Sequence, residues 1–236
     1  MLPFDPVTLG TAAILVAGGG NQLCQIPKPA QINVVPKSAP VKYDYSQSLA
    51  QLQQHNVDTI NPYGYGAKTH TNGFMRGQIS MSAQVKLDHK ILPRYNAACV
   101  WYEDVTLSIE ITPEIVIASE VAADRCQHAA VKEHELKHVT VDRKIVNKYA
   151  RTMGQKVYDG LKQRGFIAGP VPLEHAQDTI NRMQQTVMQL VELEQKKMEI
   201  ERAEAQQAVD SLEEYTRVSN ECESFKHKHS SASRRR

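Results

Sequence analysis

Two long stretches of helical pattern, separated by a short proline-bearing turn, constrain this chain more than anything else in it. From about Ala122 to Arg164 apolar residues recur at helical spacing and no proline interrupts them. Gly165 then supplies a C-terminal cap, and Pro170 and Pro172 keep the helix from continuing. A second helical pattern runs from about Leu173 to Ser224. Helices of this length outrun a compact globule, so each must cover the other's apolar stripe, and an antiparallel helical hairpin is expected.

The pattern ahead of the helices has period two. In "GQISMSAQVKL" Ile79, Met81, Ala83, Val85 and Leu87 share one face. In "ACVWYEDVTLSIEI" Val105, Leu107, Ile109 and Ile111 point inward, while Thr106, Ser108 and Glu110 point outward. Pro113 is expected to break this strand, leaving "EIVIAS" (Glu114 to Ser119) as a short third one. The fold class is therefore α+β: a small antiparallel sheet packed on a long helix, followed by the second helix of the hairpin.

The flanks read differently. The apolar run Val7 to Gly20 suits the hydrophobic part of a signal peptide, although no basic residue precedes it. Residues 1–24 are therefore expected to be a leader-like segment and a candidate membrane tether, which places the chain in the periplasm or outside the cell. Residues 25–56, carrying four prolines between Gln25 and Ser46, read as an extended tether, with a short polar helix near Ser48 to His55. "NPYGYGAKTHTNG" (Asn61 to Gly73) is rich in turn formers. "KHKHSSASRRR" at residues 226–236 has nothing apolar to bury and reads as a disordered basic tail. With 28 basic against 26 acidic residues, net charge gives no reason to expect nucleic acid as a partner. Cys24, Cys99, Cys126 and Cys222 match no zinc-binding spacing, and in an exported chain an even count implies disulfides. Cys99 with Cys126 is the pair expected, since it would tie a strand to the start of the first long helix.

Within that helix lies "VKEHELKHVTVD", Val131 to Asp142. Residues four apart stack on one helix face about 6 Å apart along the axis, so His134 and His138 can aim two imidazoles at one point. Zinc takes neutral imidazole nitrogens, and Glu135 beside the pair is placed to act as general base on a coordinated water. The competing reading is a solvated helix face shared with Lys132, Glu133 and Lys137. Asp142 cannot join His134 on one ion, because eight residues of helix span about 12 Å. It is better placed to accept the outer N–H of His138, or to sit on the surface near Arg143.

"HELKH" after a strand and inside a long helix resembles the zincin metallopeptidases. The wider pattern of Cys99, Cys126, motif helix and second helix is similar to a family of secreted bacterial proteins regarded as zinc-dependent proteases. The resemblance implies a zincin-like domain over residues 57–225, with His134 and His138 as zinc ligands and Glu135 as base. It also implies that the strand before the motif, here "EIVIAS", pairs with an extended peptide or protein substrate. Val141 and Lys144 stand where the metzincin branch has glycine and a third ligand, which excludes that branch.

A third ligand must then come from the second helix. If Gly165 and Leu173 bracket the turn, residue 136 lies opposite residue 202. Ile180, Val187, Glu194, Glu201, Ala208 and Tyr215 recur every seven residues on the apolar stripe. Glu201 has the expected register and Glu194 is next. Asp159, Glu174 and His175 remain open, as does Asp210 if the turn is longer. His128, Tyr149 and His175 are candidates for stabilising an oxyanion. The function expected is zinc-dependent peptide hydrolysis; the alternative is a non-enzymatic cell-envelope protein whose helical hairpin binds a partner.

Overall fold

The computed structural model describes residues 23–55 and 70–223. The leader-like run, residues 61–69 of the turn-rich stretch and the basic tail lie outside them. Among the described residues no helix is long and apolar enough to cross a membrane.

Alternation along the chain builds two long strands, β3 (Gly73–Leu92) and β4 (Ala97–Ile117). Ile79 to Leu87 take the less exposed face of β3 at every second residue, and Val105, Leu107, Ile109 and Ile111 of β4 are fully buried, as the period requires. Pro113 does not end β4. The Ala39 N–H reaches the Ile111 carbonyl at 2.9 Å, and the parallel pairing with the next strand begins at Lys42 opposite Glu114, so the residue without an N–H falls between two bonded points. "EIVIAS" is consequently the end of β4 rather than a separate strand.

Two other strands come from the proline-rich stretch expected to be a tether: β1 (Gln31–Ser38) and β2 (Lys42–Asp44). The stretch is extended, yet it is paired. The polar helix after it is α1 (Leu49–Leu52), held by a reciprocal capping box between Ser48 and Gln51. Among the described residues the five strands form one sheet of order β1-β4-β2, with β3 and β5 (Ile167–Pro172) also paired to β4. β2 runs parallel to β4 and β5 antiparallel. The sheet is thus mixed, where an antiparallel one was expected, because β2, from a segment that carries no strand signal of its own, joins β4 in parallel.

After the short α2 (Ser119–Ala122), α3 (Arg125–Arg164) begins where Asp124 accepts the N–H groups of Cys126 and Gln127 at 2.9 and 3.1 Å. It ends at Gly165, whose φ of 94° admits glycine readily and whose N–H bonds Leu161. The second helical stretch is two helices, α4 (Ala176–Val209) and α5 (Leu212–Glu221), interrupted at Asp210. Ser211 caps α5 by accepting the Glu214 N–H at 3.2 Å.

The chain divides into two compact units, and β3, β4, α3 and α4 contribute a segment to each. One unit comprises the described residues up to Lys37 with Ser80–Glu110 and Val146–Met198. Here the Cys24–Cys99 disulfide packs with Trp101, and the Tyr102 hydroxyl donates to the Met183 carbonyl of α4 at 2.7 Å. α3 and α4 approach closely at Gly160, where a Cβ would lie 2.6 Å from the Leu190 side chain. The other unit comprises Ser38–Ile79, Ile111–Ile145 and the residues from Glu199. Its core sets Ile115, Val116 and Ile117 of β4 against Ala130, Val131 and Val139 of α3, and it contains the Cys126–Cys222 disulfide. Cys99 and Cys126 therefore do not pair with each other, since each has a partner in its own unit.

Proteolysis under non-reducing conditions followed by mass spectrometry is expected to return linked peptides for Cys24–Cys99 and Cys126–Cys222, and a Cys99–Cys126 peptide would contradict this fold. Replacing Cys126 and Cys222 together with serine should lower unfolding free energy by about 2–4 kcal/mol, read from denaturant curves.

Candidate metal centre

All the residues of the site belong to the second of these units. His134 and His138 lie one turn apart on α3, and their Nε2 atoms are 3.3 Å from each other. Asp210, at the break between α4 and α5, puts Oδ1 3.2 Å from both. The three atoms form a nearly equilateral triangle. Ligand atoms about 2.0–2.1 Å from a tetrahedral ion stand roughly 3.3–3.4 Å apart, so this triangle is the base of such a site with the fourth position left over. Among the described residues His134, His138 and Asp210 are the group that could hold a metal ion.

The other ring nitrogens say what the inner ones carry. His134 Nδ1 faces Glu214 Oε1 at 3.3 Å, and His138 Nδ1 faces Gln206 Oε1 at 2.5 Å. Both partners are acceptors, so each Nδ1 is placed to donate outward, and with its proton there a neutral ring turns the Nε2 lone pair inward. Two such nitrogens and a carboxylate oxygen converging at this distance are a donor set that could hold a metal ion in place of the protons that otherwise bridge them.

The proton affinities reflect the same demand for positive charge. Burial pushes the Asp210 carboxyl up, but hydrogen bonding and charge from the two imidazoles outweigh it and hold it well below the ordinary range. Burial lowers His138, yet Asp210 and Glu135 together raise it above its ordinary value. Glu214 is held down to about 2, chiefly by Arg217, which donates to it at 2.8 and 3.0 Å, and by Lys137 at 2.7 Å.

Glu135 is only 3% exposed. Burial pushes its carboxyl up to about 6, against the pull of His134 and His138, and the Met75 N–H of β3 donates to it. A carboxylate whose proton affinity sits near neutrality, next to a cation site, has the properties of a general base.

The structure departs from the sequence expectation at the third ligand. Asp142 with Arg202, His138 with Gln206 and His134 with Asp210 face one another across α3 and α4 in antiparallel steps of four. Residue 136 thus faces residue 208 rather than 202, because β5 lengthens the turn between the helices. Glu201 is not in the converging group, and Asp210 stands there instead. The seven-residue count also failed by drift: an α-helix turns about 20° away from a strict heptad in each repeat. The buried face of α4 runs through Val187, Val191, Glu194 and Met198, and Ala208, expected on the stripe, is exposed. Glu194 is bonded to Lys197 at 2.6 Å within the other unit.

Asp142 is fully buried, and the His138 Nδ1 that it was expected to accept from faces Gln206, whose amide in turn donates to Asp142. Asp159 bonds Gln155, and Glu174 pairs with His175. Of the oxyanion candidates, His128 stands edge-on to Tyr45, while Tyr149 and His175 belong to the other unit. The ring that does approach is Tyr215 of α5, 5.9 Å from the His134 ring and edge-on to it. Its place on the heptad count was visible in the sequence, but its nearness to the histidines depends on the break at Asp210. "EIVIAS" pairs with β2 through Glu114–Val116, and the strand bonded to Glu135 is β3.

Comparison with protein-family models, curated proteins and solved structures finds no match to this chain. The metal reading therefore stands on the geometry alone.

Asp210→Ala is expected to weaken zinc binding by more than the roughly 10–100-fold that loss of an outer hydrogen-bonding partner costs. Glu201→Gln should leave it unchanged. Titration against a competing chelator checks both, and the opposite ranking would restore Glu201 as the ligand.

Proposed function

We propose that this chain is a zinc-dependent peptidase of the cell envelope. The observation that carries the reading is the triangle of His134 Nε2, His138 Nε2 and Asp210 Oδ1 with Glu135 buried next to it. Zinc held there would supply Lewis acidity, lowering the pKa of a coordinated water to about 7 and polarising a carbonyl. Glu135 then takes the proton of the attacking water and returns it to the leaving amine, a task suited to a carboxylate raised toward neutrality. The Met75 N–H orients that carboxylate, and Tyr215, whose ring stands 5.9 Å from that of His134, is the candidate donor to a developing oxyanion. A peptide substrate is supported by the likeness of "HELKH" to zincins. The envelope is supported by the leader-like N-terminus and by two disulfides, which persist in oxidising compartments.

A second reading has an observation of its own. Glu135 and Asp210 are 3% and 4% exposed, which also suits a structural metal site in a non-enzymatic envelope protein. One pair of measurements separates the two. On the peptidase reading the zinc-loaded chain cleaves unstructured peptides, a chelator abolishes the activity, and Glu135→Gln lowers kcat by about 100-fold or more while zinc content stays at one per chain. Full zinc content with no cleavage across a peptide library would assign the site a structural role.

A further inference from the structure

Beyond the ligands, a line of polar groups runs back from His138 to the sheet. His138 Nδ1–H donates to Gln206 Oε1 at 2.5 Å. The amide nitrogen of Gln206 donates to Asp142 Oδ1 at 2.6 Å and to the His138 carbonyl at 3.2 Å. Arg202 grips both oxygens of Asp142, Nε to Oδ1 at 2.7 Å and the outer nitrogen to Oδ2 at 2.9 Å. That outer nitrogen also donates to the Gly77 carbonyl of β3 at 3.0 Å.

The direction of every bond in this line is fixed by its far end. Arg202 has only donors, so Asp142 accepts. Asp142 is an acceptor, so Gln206 must turn its NH2 toward it and its carbonyl toward His138. Reversing the amide would set its carbonyl oxygen 2.6 Å from a carboxylate. With that carbonyl in place, the His138 proton sits on Nδ1 and the lone pair on Nε2, toward His134 and Asp210. Gly77 and Met75 are two residues apart on one strand, and Met75 holds Glu135. One short stretch of β3 therefore anchors both the ligand and the base.

We propose that Gln206 is a positioning residue that sets the tautomer and ring orientation of His138 for metal binding, and that the Asp142–Arg202 pair holds Gln206 in the only amide orientation able to do so. This inference rests on the metal site proposed above and adds to it a relay that no ligand motif contains.

The test is zinc affinity by chelator competition, together with the NMR resonance of the His138 Nδ1 proton in the zinc-loaded protein. Gln206→Leu should bind zinc about 10–100-fold more weakly and lose the protected proton resonance. In Gln206→Glu the new carboxyl, set between Asp142 and the His138 carbonyl, takes up a proton, so that its O–H donates to Asp142 while its carbonyl oxygen still accepts from His138 Nδ1. Affinity and resonance should then stay closer to wild type than to Gln206→Leu. Wild-type affinity in Gln206→Leu would overturn the proposal, and so would a Gln206→Glu variant that binds no better than Gln206→Leu. If Gln206→Leu does not fold, Gln206→Glu measured against wild type decides alone, and loss of the resonance there overturns the proposal. A wild-type chain that takes up no zinc fails before any variant is compared, and that result removes the metal site and this relay with it.

Discussion

Three electron-rich atoms, two imidazole nitrogens and one carboxylate oxygen, are held within about one ion's diameter of each other, and much of the second unit serves to keep them there. Nothing in their mutual chemistry would bring them together, since like lone pairs repel unless a proton or a metal stands between. The force comes from outside. Ile115 to Ile117 of β4 press on Ala130, Val131 and Val139 of α3, fixing the face on which His134 and His138 project. Arg202 and Gln206 lock α4 to that same helix in antiparallel steps of four. The break after Val209 then frees the Asp210 carboxylate from helical geometry at the level of the two rings.

Such a contact between helices is an unusual place for charge. Apolar residues of similar volume would often pack at no cost to stability, because removing Asp142 and Arg202 from water costs several kcal/mol that their attraction repays only with good geometry. The geometry is good, with a two-point grip and each Asp142 oxygen bonded. What the ion pair adds over an apolar pair is direction: it permits one orientation of Gln206 and one register of α4 on α3. A shift of one residue along either helix would bury an unpaired carboxylate, so the polar contact excludes neighbouring registers that an apolar stripe would tolerate.

That logic also explains what could and could not be read from the sequence. His134, Glu135 and His138 were legible because their relation is local, set by helical spacing alone. The inward faces of β3 and β4 were legible for the same reason, from a period of two. Asp210 was legible only as one alternative that required a longer turn, because its position depends on β5, a strand without alternating pattern, and on a helix break marked only by Ser211. Glu201 looked suitable because a heptad count treats an α-helix as a coiled coil, and over the turns from Val187 the true buried face moves off the count toward Arg202 and Gln206. β1 and β2 were hidden in a proline-rich stretch because parallel pairing to a long central strand asks only that the segment be extended. The cysteine pairs follow from which segments share a unit, and no spacing rule contains that.

α5 shows how much of the site rests on covalent chemistry. It is ten residues long and none of them is buried, although Val218 packs partly against the core. Helices this short are marginal in water, and this one has little apolar surface with which to hold its place. Yet it carries Glu214, which fixes His134 from outside, and Tyr215, which flanks the same ring. Its far end is joined to the first turn of α3 through Cys222 and Cys126, two helical turns ahead of His134. Gln206 restrains the α4 side of the break, and the disulfide restrains the α5 side. Lys137 and His134, both bonded to Glu214, hold the same helix from α3, so Asp210 is fixed from both directions. The bond from Cys222 to Cys126 adds a covalent link to these contacts, and such bonds persist in oxidising compartments, which is the environment that both disulfides suit.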